Sequence, residues 1–303
     1  MMKKVIAVIG PTGVGKTALG VNLAKWLETE IISGDSIQVY RGLDIGSAKV
    51  TEEEMQGIPH HLIDILPLES NYSVYDFQKQ GREVMAKLHD ESKIPIVVGG
   101  TGLYIKSLLY DYTFETSNDE NEVDYSGYTN EELYARLLEV DEESAKLIHP
   151  NNRKRIIRAI KIFDTHGKRK SDIEKEQKHE MLYDAFIIGL TCDREIVYDR
   201  INRRVDIMVN NGLLDEIAKL SKLPNVFDYQ GMQGIGYKEF RNYCSNEATL
   251  EETLEEIKKH SRQFAKRQYT WFNNQMDVHW YDIMQDNYLA QIKSDLEVWM
   301  KEE

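Results

Sequence analysis

A lysine and a threonine at the end of a glycine-rich run are the first residues of this chain equipped for chemistry. Residues 10–17 read GPTGVGKT, with Gly10, Gly15, Lys16 and Thr17 at the spacing of a phosphate-binding loop. The backbone N–H groups of such a loop turn inward and cradle phosphate oxygens. Gly10, Pro11, Thr12, Gly13, Val14, Gly15, Lys16 and Thr17 therefore form a candidate diphosphate or polyphosphate cradle. The lysine reaches the outer phosphates, and the threonine hydroxyl takes Mg²⁺. The preceding VIAVI has strand character and the following ALGVNLAKWL has helical spacing. The anion would thus also sit at a helix N-terminus. This motif specifies a polyphosphate and a divalent cation, but not what becomes of them.

Asp35 is the second candidate. It follows a short apolar segment, EIIS, within GDSIQVY. Ligands collect at the carboxyl ends of parallel strands, which predicts Asp35 close to Lys16 and Thr17. A carboxylate there holds Mg²⁺ through water or accepts a proton from a nucleophile. The aspartate that ends a later strand in ATPases of this kind is missing, because IPIVV (94–98) runs into Gly99-Gly100-Thr101-Gly102. Thr101 would place a hydroxyl at a helix start. Arg200 and Arg204 share a helix face, four residues apart. They pair with Asp199 or Asp206 at the surface, or they meet a departing phosphate; the pattern alone does not choose. His60 and His61 are adjacent on an extended segment and point to opposite sides, which argues against a shared metal.

The elements that must position these residues are legible as an alternation of strand and helix patterns. Strand-like runs occur at 5–9, 30–33, 61–65 and 94–98, with helical patterns at 16–28, 73–91 and 102–109. Such alternation predicts an α/β fold, a parallel sheet wrapped by helices. Residues 115–130 are polar and aperiodic, as is 168–180, and both read as linkers. Helical patterns at 131–147 and 151–166 lie between them. A strand within 181–190 returns to the sheet, followed by helical patterns at 194–222, 248–275 and 286–301. The expected organisation is a P-loop core formed by 1–110 and 181–303, interrupted by a mainly helical insertion at 111–180.

Composition narrows the classes of function. At 303 residues the chain suits a core domain with an insertion. No apolar run reaches membrane-spanning length, and the first strand begins too early for a signal peptide. Two cysteines, Cys192 and Cys244, suggest a reducing cytoplasm rather than a disulfide framework. A net charge of −13 argues against a general nucleic-acid binder. Yet residues 153–170 concentrate Arg153, Lys154, Arg155, Arg158, Lys161, Lys168, Arg169 and Lys170 against the single acid Asp164. That run is either a solvated helix face or a local polyanion site. The segment SRQFAKRQYTWF (261–272) interleaves bases with aromatics, which suits either nucleic acid or a buried helix stripe.

Several segments then fall together in order: GPTGVGKT, GDSIQVYRGLDIGSAK, IPHHLID, GGTGLY, HPNNRKRIIRAI, QGIGYKE and AKRQYTWF. In these the chain closely resembles the bacterial tRNA dimethylallyltransferases, also called tRNA isopentenyltransferases, from residue 4 to about 275. The resemblance implies a P-loop NTPase-like core with a helical tRNA-binding insertion. It implies transfer of a dimethylallyl group from dimethylallyl diphosphate to the exocyclic amine of the adenosine 3′ of the anticodon, in tRNAs that read codons beginning with U. The missing ATPase aspartate then makes sense, since the phosphates belong to the leaving group.

By the same resemblance, Lys16 neutralises the diphosphate, Thr17 holds Mg²⁺, Asp35 is the general base and Arg204 contacts the diphosphate. Thr101 lines the channel near the target base. The tRNA-contacting positions implied are Asp35, Ser36, Ile37, Gln38 and Thr101; Lys154, Arg155, Ile156, Ile157 and Arg158; Gln233, Gly234, Ile235, Gly236, Tyr237 and Lys238; and Lys266, Arg267, Gln268 and Trp271. The expected partners are a tRNA anticodon stem-loop and dimethylallyl diphosphate, the expected cofactor is Mg²⁺, and the expected state is a cytoplasmic monomer. This chain departs from the family in having Phe264 for a frequent tyrosine and in lacking an arginine early in the insertion. Two other readings share the loop: a small-molecule or nucleotide kinase, and an RNA-binding P-loop protein without chemistry.

Overall fold

A computed structural model describes residues 2–114 and 123–302. In chain order the strands are β1 (Lys4–Ile9), β2 (Ile31–Ser33), β3 (His60–His61), β4 (Ile96–Val98), β5 (Asp184–Thr191) and β6 (His279–Asp282). The helices are α1 (Lys16–Trp26), α2 (Glu52–Met55), α3 (Val74–Asp90), α4 (Gly102–Leu109), α5 (Asn130–Val140), α6 (Glu142–Leu147), α7 (Arg153–His166), α8 (Lys170–Glu176), α9 (Arg194–Asn210), α10 (Leu213–Leu220), α11 (Phe240–Cys244), α12 (Leu250–Gln275) and α13 (Tyr288–Lys301). The chain divides into two compact units, Met1–Tyr110 with Met181–Glu303, and Asp111–Glu180.

In the first unit the strands form one sheet in the order β3-β2-β4-β1-β5-β6, and every pairing is parallel. A parallel sheet persists only where helices cover both faces. The strand residues divide accordingly. Val5, Ala7 and Ile9 of β1 join Ile187 of β5 in one apolar layer, with Phe77 and Met85 of α3 and Ile105 and Leu108 of α4. Ile6 and Val8 join Phe186, Ile188 and Leu190 in the other, with Leu19 and Leu23 of α1, Val197 and Ile201 of α9, and Leu296 of α13. This two-residue alternation makes β1 and β5 apolar along their length. The architecture is the α/β, P-loop type expected.

Five elements differ from the sequence pattern. The strand-like run at 61–65 is only His60–His61, because no strand pairs among the described residues beyond the two bridges to Ile31 and Ile32. The helical pattern at 131–147 is two helices, because Asp141 ends α5 and caps α6. Residues 194–222 are likewise split, at Gly212, which has φ +97°. The supposed linker at 168–180 contains α8. Asp141, 1% exposed, accepts bonds from the backbone N–H and hydroxyl of both Ser144 and Ser171, so a tertiary contact orders a stretch with no periodicity of its own. Finally, β6 (HWYD) was not foreseen. It lacks an apolar run and exists because β5 offers an open edge, pairing Ile188 with His279 and Thr191 with Asp282. Of the linker placed at 115–130, residues 115–122 lie outside the described residues.

The second unit has its own small core, in which Leu133 and Leu137 of α5 meet Ile156, Ala159 and Ile160 of α7.

Candidate functional site

β1 delivers the chain to Gly10, whose φ is +141°. A Cβ there would lie 2.7 Å from the carbonyl oxygen of Leu190 on β5, so the loop can leave the sheet this tightly only through glycine. The loop closes on Gly15, the N-cap of α1. The first N–H groups of α1 have no helical acceptors, which is the general condition that favours an anion. Lys16 Nζ donates to the carbonyl of Pro11 at 2.8 Å. Lys16, Thr17, Asp35 and Arg204 all line one cavity of about 410 Å³.

The cations in this cavity are poorly compensated. Burial pushes Lys16 down to about 7, the Arg204 guanidinium pushes the same way, and Asp35 only partly opposes them. Burial also lowers Arg204, again against the pull of Asp35. Arg204 donates from Nη1 to Thr12 Oγ1 at 2.9 Å and from Nη2 to the Ala48 carbonyl at 3.4 Å. The open question about this helix is thereby resolved. Asp199 pairs with Arg203 and Asp206 with Lys258, leaving Arg204 turned inward and Arg200 on the cavity wall.

Asp35 sits where topology placed it, just past β2. Its Oδ1 accepts the backbone N–H groups of Ile37 (2.8 Å) and Gln38 (3.3 Å). Oδ2 has no hydrogen-bond partner among the described residues, so one carboxylate oxygen is free for a proton or a cation. No cluster of three or more His, Cys, Asp or Glu side chains able to hold a metal exists among the described residues. The two histidines are committed separately: His61 to Glu30 at 2.6 Å, and His60 to the Ile58 carbonyl at 2.8 Å. One hydroxyl and one carboxylate facing a polyphosphate cradle suit Mg²⁺, which binds through few protein ligands and keeps several waters.

A second cavity, of about 450 Å³, shares Thr12, Asp35, Ser47, Ala48, Arg204 and Phe264 with the first. Its own walls include Ser36, Ile37, Thr101, Gln233, Gly234, Ile235, Gly236, Lys238 and Arg267. Its pocket polarity is mixed: aliphatic side chains such as Ile37, Ile235 and Met208 face hydroxyl, amide and cationic groups. Thr101 is the N-cap of α4, but its hydroxyl makes no capping bond, which leaves it to the cavity. The geometry therefore offers an anion site and a part-apolar site that share Asp35 and Arg204.

Three side chains expected at a tRNA surface are instead interior. Ile156 and Tyr237 are 0% exposed and Gln268 is 5% exposed. Ile156 belongs to the core of the second unit, because α7 turns that face toward α5. Gln268 is a latch: its amide donates to the Gly100 carbonyl at 2.9 Å and its oxygen accepts the Thr12 N–H at 3.0 Å. Replacing Gln268 with leucine should strand that N–H and carbonyl, costing about 1–3 kcal/mol for each group left unpaired. Thermal unfolding and inorganic diphosphate affinity should both fall; wild-type values for both would show the latch idle. On α12 the basic-aromatic segment includes a buried stripe with exposed bases beside it. Ala265, Gln268 and Phe272 are buried, Lys266 and Arg267 are exposed, and the Trp271 ring lies against Gly102.

On α7, Lys154, Arg155 and Arg158 are exposed and have no ion pair among the described residues, while Ile157 is half-buried. Arg153 is committed, donating to the carbonyls of Tyr125 and Tyr128. Pattern reading missed the Ser47–Ala48 turn and Phe264 as shared walls. The small residues of GSAK and the aromatic at 264 were the signals available.

Residues 38–275 match the family model described as IPP transferase. The chain is 50% identical over 285 residues to the tRNA dimethylallyltransferase of Bacillus subtilis (strain 168), covering 92% of this chain and 90% of that one. Among solved structures it is similar to a tRNA delta(2)-isopentenylpyrophosphate transferase from Staphylococcus epidermidis, at 44% identity and a TM-score of 0.73, covering 98% of this chain and 99% of that chain. It is also similar to a eukaryotic dimethylallyltransferase described as acting on tRNA, at 30% identity and a TM-score of 0.85, covering 96% of this chain and 77% of that chain.

Proposed function

This chain belongs to the IPP transferase family, and we propose that it transfers a dimethylallyl group from dimethylallyl diphosphate to the exocyclic amine of the adenosine 3′ of the anticodon, in tRNAs that read codons beginning with U. The observation that carries this reading is the meeting of two cavities at one carboxylate and one guanidinium, Asp35 and Arg204.

The reaction makes one N–C bond and breaks one C–O bond. The amine nitrogen attacks the allylic carbon, the C–O electron pair leaves with diphosphate, and the nitrogen sheds a proton. Asp35 takes that proton on Oδ2, while the N–H groups of Ile37 and Gln38 hold the other oxygen still. Lys16, Arg204 and the loop N–H groups stabilise the negative charge that grows on the departing diphosphate. Thr17 and Asp35 are the residues that would hold Mg²⁺, which when bound would supply charge neutralisation to the leaving group. The adenosine must leave its stack to enter the second cavity, at a cost of a few kcal/mol. Contacts to the tRNA backbone from Lys154, Arg155 and Arg158 offset that cost.

No helix among the described residues is long and apolar enough to cross a membrane. The kinase alternative gains nothing from the site, since β4 closes on Gly99-Gly100 with no carboxylate at its end.

The test is incubation with Mg²⁺, dimethylallyl diphosphate and an unmodified tRNA with adenosine after its anticodon, followed by mass spectrometry of the digested RNA. Isopentenyladenosine supports the reading. Its absence, with phosphate lost from ATP in a parallel reaction, would favour the kinase. In a tRNA-binding titration across salt concentrations, substituting Arg155 and Arg158 together by alanine should weaken binding and lower the slope of log affinity against log salt by roughly 1 to 2. An unchanged slope would remove α7 from the tRNA-binding surface.

A further inference from the structure

Four consecutive backbone N–H groups beside the site are satisfied by two side chains that touch neither cavity. Glu216 of α10 accepts Asp44 N–H (3.0 Å) and Ile45 N–H (2.8 Å) on Oε2, and Gly46 N–H (3.1 Å) on Oε1. Tyr237 donates its hydroxyl to Glu216 Oε1 at 2.7 Å and accepts the Ser47 N–H at 3.1 Å. The Tyr237 ring supports the turn from below. A Cβ on Gly46 would lie 2.6 Å from its Cζ, so the backbone rests directly on the ring. The other end of the loop is pinned by Lys49, whose Nζ donates to the Tyr40 carbonyl, Asp44 and Asp64.

The free end of this assembly points at the site. The Ala48 carbonyl accepts Arg204 Nη2 at 3.4 Å and Gln38 Nε2 at 3.3 Å, and the Gln38 N–H is one of the two that hold Asp35. On the strength of the function proposed above, we propose that Glu216 and Tyr237 are positioning residues that set Arg204 against the diphosphate through the loop at 44–48.

The chemistry requires a carboxylate at 216. Each of its oxygens accepts two bonds, and an amide turned either way sets its NH₂ group against at least one backbone N–H. The loop must then shift, and Arg204 loses its carbonyl partner on that side. Neither residue lines either cavity, so any effect on binding passes through the loop at 44–48 and the Arg204 it holds.

The experiment is a double-mutant cycle read by binding of inorganic diphosphate in the presence of Mg²⁺. Glu216→Gln should weaken that binding roughly five- to twentyfold in the wild-type background and by less than about twofold when Arg204→Ala is already present, since coupled residues depart from additivity. Tyr237→Phe keeps the ring under Gly46 and removes only the hydroxyl; it should show the same pattern at smaller size and serves if Glu216→Gln folds poorly. In turnover, KM for dimethylallyl diphosphate should rise while KM for tRNA stays within twofold. Equal losses in both Arg204 backgrounds for both variants would overturn the proposal, assigning the clasp to stability alone. The binding cycle needs no prenyl transfer. An inactive wild-type protein would therefore sink the functional reading, and an additive cycle would sink this one.

Discussion

Asp35→Asn should abolish most turnover while leaving tRNA affinity almost unchanged. The substitution keeps an oxygen where Oδ1 accepts the N–H groups of Ile37 and Gln38, so the local turn survives. It replaces the free oxygen with an NH₂ group, which cannot accept the proton that the amine must lose. General-base catalysis by a positioned side chain contributes about 10²- to 10⁴-fold, and the rate should fall within that range. The measurement is single-turnover formation of isopentenyladenosine beside a filter-binding titration with tRNA. A rate within threefold of wild type would remove Asp35 as the base. A parallel collapse of tRNA affinity would instead recast it as a contact for the nucleic acid.

Lys16→Met should cost nearly as much, but in donor binding. A cation held in a protein-lined cleft against a bound anion typically contributes about 2–5 kcal/mol, at least roughly 30-fold in the dissociation constant. The wild-type protein should also show a proton signature. Burial, aided by Arg204, lowers Lys16 from 10.5 to about 7, because desolvation and a neighbouring cation disfavour its charged form. A bound diphosphate restores that form and raises the pKa again. Donor binding should therefore take up a proton above pH 7, with uptake vanishing below about pH 6, where Lys16 is already charged. The terminal phosphate of the donor ionises near pH 6, so uptake at pH 8 belongs to the protein. Calorimetry in buffers of different ionisation enthalpy reads it directly. No uptake at pH 8 would mean that Lys16 is fully charged before the donor arrives.

The same depression carries a stability sign. Between pH 7 and 10.5 the unfolded chain holds a proton on this lysine that the folded chain lacks. The contribution of Lys16 to folding stability thus becomes less unfavourable as pH rises through that window. Bound diphosphate should flatten the trend, because it keeps Lys16 protonated in the folded chain as well.

What the amino-acid sequence determined by itself is local. The phosphate loop was legible because its glycines, lysine and threonine act within eight consecutive residues, between a strand and a helix that each carry their own pattern. Asp35 was legible because parallel topology sends the ends of β1 and β2 to the same edge. Tertiary structure decided the rest, wherever a residue's role depends on partners far along the chain. Nothing local separates Arg204 from Arg203; the former is drawn inward by Thr12 and Ala48, the latter held at the surface by Asp199. Gln268 looked like one more polar residue on a basic helix until it closed on Thr12 and Gly100, some 256 and 168 positions away. Strand β6 and helix α8 form because β5 supplies an edge and Asp141 supplies acceptors, not because their own residues demand it. Periodicity records which face of an element is buried. It cannot record which distant backbone group a single glutamine, glutamate or arginine will meet, and those meetings are what shape the site.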